Sequence, residues 1–592
     1  MSSLTRLAVA LAAWLLVPSA SCKACPPLGP VLPPPQAPSR SEAVKSAVQN
    51  LASGLDAQFT SKFKATGLSI GVKSIHEDEQ LFSYHFTPPV LSGLGGSASI
   101  DENTIYRVGS LSKMFPALAA LQSSSINMDD SVLKYIPELR NATGTDPTNT
   151  SPWEDITVGS LANHLSGLAT DTAMDLAIFP APWTDMGLPN IAKGTGPECS
   201  GLPGTKACTR QNLINDLKRR PPVYLPYTSP VYSNVGFAIL ALVIEAATGK
   251  PFEDVIRTGI YDVVGMESTS FDGPVKAFLE RGFVPMGEPT WNVTLGVFEA
   301  AGGMFSNTVD LLAFAEGILT NSFLSPRRTR QWLKPDTHTS SWGSSVGAPW
   351  EILRSDTITA DGRLIDVFTK SGDLGLYHAY LALIPDYDIV ISILTGGVEV
   401  STDQYANTKI FSAVVEALIP AVEQAGREEA SSAGGLVGTY TDTSTGSSIT
   451  LELDAGPGLL ITNFTVRGFD VLNHATQYSL SSGTSSTDDV FIEGRMYPTN
   501  LVAKQSGDNQ TERTAWRTVF DTMTEEEKTE LEGQLFFKNG SCLSWFELDR
   551  AAYNFLSLWD FVFVRGADGR IKAIQNPAFN VTMTKVSKCH KG

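Results

Sequence analysis

Histidine is scarce in this chain, with 7 among 592 residues, and basic residues are outnumbered, 44 Lys and Arg against 62 Asp and Glu. The formal net charge is -18. Phosphate backbones are bound by basic faces that release counterions, so nucleic acid is not expected as a partner; the acidity is read as solubility. Cysteine is also rare: Cys22, Cys25, Cys199, Cys208, Cys542 and Cys589 are all there are. None has the histidine-accompanied spacing of a zinc site. After the first twenty residues no apolar run is long enough to span a bilayer. No internal repeat is visible, and no motif calls for a cofactor or a metal.

What is present fits a folded globular protein, with 18% charged and 42% hydrophobic residues. The length predicts more than one domain. Arg6, the apolar run Leu7–Val17 and the small residues Ser19-Ala20-Ser21 read as a signal peptide over 1–21. Sequons at Asn141, Asn149, Asn292, Asn463, Asn509, Asn539 and Asn580 agree with an extracellular glycoprotein. An oxidising compartment favours disulfides. Cys199 with Cys208 would close a short loop, and Cys542 with Cys589 would tie a late strand to the C-terminus. Cys22 and Cys25 stay unassigned.

A Pro-rich leader is read over 22–40. From Ser41 the pattern changes to helical spacing of Val44, Val48, Leu51 and Leu55. Two strands flank the turn His76–Glu79. Gly236–Gly249 is apolar almost all round and predicts a buried helix, with Gly249 just past its end. Residues 170–222 lack periodicity and read as an insertion shaping access to a site. Leu364–Phe368, Tyr377–Ile384 and Ile389–Leu394 read as consecutive strands, followed by a helix to Val422. Residues 423–435 are polar and small and read as a linker. The remainder, 436–592, alternates short strands with turns, with a hairpin signal at Gly566–Gly569. It reads as a small β-barrel or sandwich whose Trp and Phe residues form its core.

The chemistry is expected at Ser110-Leu111-Ser112-Lys113. Residues three apart share a helix face, with β-carbons about 5–6 Å apart, so the Lys113 amine reaches the Ser110 hydroxyl. A serine is a weak nucleophile without a base, and a lysine whose pKa is lowered can be that base. S-x-x-K alone is common; it gains weight from two partners placed further along the chain. Tyr232-Ser233-Asn234 lies in a polar turn entering a helix, and Lys370-Ser371-Gly372 ends one strand before the next.

With S-x-x-K, Y-x-N and K-S-G in that order, the chain resembles the serine β-lactamase and penicillin-binding-protein superfamily. The likeness is to its class C β-lactamase-like branch, which also holds esterases, D-peptidases and transesterases, and to secreted fungal-type members. It covers roughly 41–422 and includes Asn163–Leu168, Pro230–Gly249, Gly265–Thr269 and Ala301-Gly302-Gly303. The resemblance implies an α+β fold: an antiparallel sheet flanked by helices, plus a helical lobe, followed here by the all-β C-terminal domain.

It also implies the roles. Ser110 is the nucleophile, Lys113 and Tyr232 the base and proton relay, and Asn234 orients Lys113. Lys370 lowers the proton affinity of Lys113 and Tyr232 and attracts an anionic substrate group. Ser371 and Gly372 line the substrate, and backbone N–H groups of Ser110 and Asp373 form the oxyanion hole. His164 is read as a structural turn residue. Where family β-lactamases carry a small residue after K-[ST]-G, this chain has Asp373, which favours a substrate other than a β-lactam. The expected activity is a secreted, monomeric serine hydrolase acting on a small-molecule or peptide-like ester or amide. Acyl transfer through the same site is one alternative; an inactive binding protein is the other.

Overall fold

The computed structural model describes residues 25–586, except 92–95, 143–145, 173, 193–195, 201–203, 272–279, 404, 479–492, 506–510, 522, 538–539 and 543. The expected signal peptide, Cys22, Cys589, Asn509 and Asn539 lie outside the described residues. The chain divides into two compact units. One comprises Gln36–Arg354 and Asp366–Ala421. The other comprises the described part of Met1–Pro35, Ser355–Ile365 and Val422–Gly592.

The first unit is built on a sheet. Its strands are β1 (Gly67–Ser74) and β2 (Phe82–Phe86), a separate pair β3 (Tyr106–Arg107) and β4 (Phe305–Ser306), then β5 (Thr337–His338), β6 (Ser344–Val346), β7 (Glu351–Ser355), β8 (Ile365–Leu374), β9 (Tyr377–Ile384) and β10 (Ile389–Gly396). The main sheet runs β2-β1-β10-β9-β8-β7-β6-β5, with β1–β10, β10–β9 and β9–β8 antiparallel. All eight residues of β10 are buried, because helices cover both faces and erase the usual alternation. Gly71 is one reason the cover is close: a Cβ there would lie 2.5 Å from Thr308 and 2.7 Å from Leu312 of the Thr308–Leu319 helix.

The helical lobe centres on Asn234–Thr248. Ser233 caps it by accepting from the Gly236 N–H, and Gly249 ends it at φ 68°. That left-handed value costs glycine nothing. Its residues Val235–Ile244 are all buried, as the apolar run predicts. Met114–Gln122 packs beside it, with Phe115 stacked on Phe314 at 4.5 Å.

In the second unit β11 (Gly438–Asp442), β12 (Ser447–Glu452), β13 (Leu459–Val466), β14 (Phe469–Asp470), β15 (Glu493–Gln505) and β16 (Thr511–Asp521) come first. The small hairpin β17 (Ala552–Tyr553) and β18 (Leu556–Ser557) follows, then β19 (Asp560–Arg565), β20 (Ile571–Asn576) and β21 (Val581–Lys585). The order is β12-β11-β21-β20-β19-β16-β15-β13-β14, and a β12–β13 pairing closes it. Barrel and sandwich were both open on sequence; the structure is a closed barrel. Trp516, Trp559, Phe561 and Phe563 fill it. Phe536, Trp545 and Phe555 do not: they are exposed, against the expectation that the aromatic residues of this region are core.

A further expectation changes. Residues 423–431 are not linker but the end of a helix, Ala406–Ser431. Val422, Ala425 and Ala430 are buried, so small residues there form an apolar stripe that a composition count reads as polar. Within the leader, Val31 and Leu32 are buried and Pro38–Arg40 is a 3₁₀ turn.

Cys199–Cys208 forms as expected, but Cys542 bonds to Cys25 rather than to Cys589. The fold brings Cys25, 517 residues away in sequence, to a Cα separation of 5.2 Å, a proximity that spacing does not encode. A non-reducing peptide map is expected to show Cys25 linked to Cys542 and Cys199 to Cys208; a Cys542–Cys589 peptide would refute this pairing.

Candidate active site

The S-x-x-K stretch is not the interior of an α-helix. Gly109–Lys113 is a 3₁₀ turn that leads into the Met114–Gln122 helix. In a 3₁₀ turn residues three apart eclipse, which puts Lys113 directly over Ser110. The Lys113 Nζ lies 3.0 Å from Ser110 Oγ, 2.7 Å from Asn234 Oδ1 and 2.6 Å from the Ala301 carbonyl. It is fully buried. Burial and the nearby Lys370 ammonium hold its pKa well below the ordinary lysine value.

Tyr232 stands between the two lysines, its ring 4.9 Å from Lys113 Nζ and 5.4 Å from Lys370 Nζ. Burial raises its pKa, opposed by the Lys370 charge and by the Ser110 side chain. Its ring stacks on His164 at 4.6 Å. His164 itself has φ 62°, and its Nδ1 accepts from the Ser233 N–H at 3.0 Å. Burial and the two lysines push its pKa well down, so the ring is a neutral platform that fixes the tyrosine.

Lys370, Ser371, Gly372 and Asp373 lie on β8 where it meets the Ser110 turn. A Cβ on Gly372 would fall 2.0 Å from the Val108 carbonyl and 2.9 Å from Ser110 N; one on Gly109, at φ 52°, would fall 2.6 Å from Asp373 N. Two glycines thus permit strand and turn to touch. The Ser110 and Asp373 backbone nitrogens both lie at this contact.

The fold adds two acids that the sequence does not single out. Asp171, in the insertion, accepts from Asn234 Nδ2 at 2.7 Å, which fixes the amide so that its oxygen faces Lys113. Glu351 on β7 accepts from Lys370 Nζ at 2.5 Å and from the Ser371 N–H at 2.8 Å. Burial lowers the Lys370 pKa, but Glu351, Tyr232 and Asp373 together outweigh it, and the net shift is upward. A lone acid in the apolar run Trp350–Leu353 is the signal available for Glu351; nothing marks Asp171.

Asp373 is turned away from Lys370. Its side chain is 71% exposed and meets His378 Nδ1 at 2.5 Å; His378 Nε2 in turn meets Ser401 Oγ at 2.8 Å. Exposed ion pairs are worth about 0.2–1 kcal/mol, so Asp373 can repel a substrate carboxylate only weakly. Asp373→Ser is therefore expected to raise kcat/KM for a penicillin, relative to a neutral ester, by no more than about fivefold. Kinetics on both substrates decide it, and a selective loss for the penicillin would contradict the sign.

A family model described as Beta-lactamase matches residues 70–415. The chain belongs to this beta-lactamase family. A second model, described as Beta-lactamase-like-like, C-terminal domain, matches 426–587. A "Beta-lactamase-like protein" of Arthroderma benhamiae is 29% identical over 95% of this chain and 97% of its own length. A "Probable hydrolase clz13" of Cochliobolus lunatus is 26% identical over 88% of this chain and 85% of its own. Among solved structures, a beta-lactamase/D-alanine carboxypeptidase from Yersinia pestis, complexed with citrate, is similar at 18% identity and TM-score 0.47. It covers 63% of this chain and 98% of its own length. This β-lactamase family chain therefore carries the β-lactamase/transpeptidase-like fold and has hydrolases among its relatives.

Proposed function

We propose that the protein is a secreted serine hydrolase that forms an acyl-enzyme on Ser110 with an ester or amide. One observation carries this. The Lys113 nitrogen has two fixed acceptors, Asn234 Oδ1 and the Ala301 carbonyl, and its third neighbour is Ser110 Oγ. A neutral amine has two N–H groups and one lone pair. The two acceptors take the N–H groups, and the lone pair is left for the serine proton.

Lys113 removes that proton as Oγ attacks the carbonyl carbon. The carbonyl electrons move onto oxygen, held by the Ser110 and Asp373 N–H groups. On collapse the bond to the leaving group breaks, and the proton passes through Lys113 and Tyr232 to the leaving atom. Water then attacks the ester on Ser110 by the reverse relay and frees the acid. Asn234 holds Lys113, Asp171 holds Asn234, and Lys370 keeps Lys113 deprotonated.

Export rests on the N-terminal segment, the paired cysteines and the sequons. Asn149, Asn292 and Asn580 are exposed, whereas Asn463 is half-buried with its amide bonded to Ser448 at 2.9 Å. Among the described residues no single helix is long and apolar enough to cross a membrane. The experiment is intact-mass analysis after brief exposure to a panel of activated esters, D-peptides and β-lactams, with peptide mapping of any adduct. The expected result is one acyl group on Ser110. Turnover with acylation elsewhere, or with none, would refute the reading.

A further inference from the structure

The leaving atom must lie within hydrogen-bond reach of the group that protonates it. If the hydrolase reading above holds, the leaving group therefore projects past Tyr232. A cavity of about 410 Å³ opens there, lined by Tyr232, Glu351, Trp350 and His338 together with hydroxyl groups such as Thr228 and Thr339. The Lys370 side chain is 0% exposed, whereas that of Glu351 is 32% exposed. The carboxylate thus lies between the ammonium and the cavity. One Glu351 oxygen holds Lys370 Nζ, whose other acceptor is the Ser371 carbonyl at 2.6 Å, and the second Glu351 oxygen holds the Ser371 N–H, so a substrate anion must compete with Glu351 for both groups. Among the described residues lining the cavity, Glu351 is the one carboxylate; His338 Nδ1 contacts Ser345 Oγ at 3.1 Å.

We propose that Glu351 determines the leaving-group specificity: the site accepts esters or amides whose leaving group is neutral or bears an amine, and discriminates against one that bears a carboxylate. A carboxylate brought to this cavity meets an anion whose countercharge is already engaged. An ammonium meets an accessible acceptor, and the hydroxyl lining suits a neutral polar alcohol. The expectation that Lys370 attracts an anionic substrate group is thereby reversed by the residue opposite it.

Three phenylacetyl esters test this, those of phenol, 3-carboxyphenol and 3-(aminomethyl)phenol. They share one acyl group and so one acyl-enzyme; only the acylation step sees the leaving group, and the kcat/KM ratios isolate it. Each ratio is corrected by the same ester's hydrolysis in hydroxide, which removes leaving-group reactivity. The native protein is expected to favour the aminomethyl ester over the carboxy ester by about tenfold or more, a difference of about 1.4 kcal/mol. Glu351→Gln should reduce that ratio at least fivefold, and Glu351→Ala should do so too without the misdirected amide of Gln. The rate of deacylation, common to the three esters, reports separately on damage to the Ser110 machinery. An unchanged ratio in variants that still deacylate, or a native preference for the carboxy ester, would overturn the proposal while leaving the hydrolase reading intact. Absence of Ser110-dependent turnover for all three would overturn both.

Discussion

Ser110→Ala is expected to lower kcat/KM toward an activated ester by about 10⁴-fold or more, with the residual rate coming from binding and the oxyanion donors alone. The effect is large because no other hydroxyl can take over the attack: Lys113 Nζ reaches Ser110 Oγ at 3.0 Å, and its remaining neighbours are a carbonyl and an amide oxygen. Ser112 lies within the same turn but is fully buried, with Oγ bonded to the Gly109 carbonyl and accepting from the Met304 N–H. Ser110 Oγ meets the side chains of Lys113 and Tyr232 rather than the backbone, so the fold should persist without it. Circular dichroism and a melting curve matching the native protein are expected beside the lost activity. A rate within tenfold of native would end the assignment of Ser110 as nucleophile.

Lys370→Met is expected to lower kcat/KM by about 10²-fold at neutral pH, the lower end of what general acid–base catalysis contributes, and to move the acid limb of its pH profile to higher pH. The sign comes from charge. Lys370 is a cation near Lys113 and lowers its pKa; its loss lets that pKa rise. It also leaves Glu351 without its countercharge, and that carboxylate raises the Lys113 pKa further. A larger share of Lys113 is then protonated at neutral pH, and a protonated amine cannot accept the Ser110 proton. Tyr232 responds in the same direction, since Lys370 lowers its pKa too.

The variant should also be less stable at neutral pH. The folded-state pKa of Lys370 is raised, so its stabilising contribution is present below the ordinary lysine pKa and is lost only as pH rises through the folded value. The pH profile of kcat/KM separates the two effects. A uniform drop with an unmoved limb would mean that Lys370 acts through stability alone.

The buried apolar helix from 236, the glycine that ends it and the three strands after 364 are legible in the sequence because each is set by its own residues. Periodicity and end signals are local. So are the nucleophile and base, because one short turn contains both. The order of Ser110, Tyr232 and Lys370 carries the resemblance to the family. Local pattern fails where the deciding contact is remote. Residues 423–431 have the composition of a linker, yet the burial of Val422, Ala425 and Ala430 gives that stretch one apolar face. Closure of the barrel depends on β12 meeting β13 as well as β11, and a strand's own residues do not fix both neighbours.

The sequence by itself determined the buried helix from 236, the three strands after 364 and the choice of Ser110, Lys113, Tyr232, Asn234 and Lys370 as the candidates. Only the tertiary structure decided the electrostatics around them. It paired Asn234 with Asp171 across 63 residues and Lys370 with Glu351 across 19, and it turned Asp373 toward His378. It also joined Cys25 to Cys542. The physical reason is the same throughout. A side chain's type is written at its position, but its protonation, its partner and the charge that a substrate meets depend on which segments the packed core brings within a few ångströms.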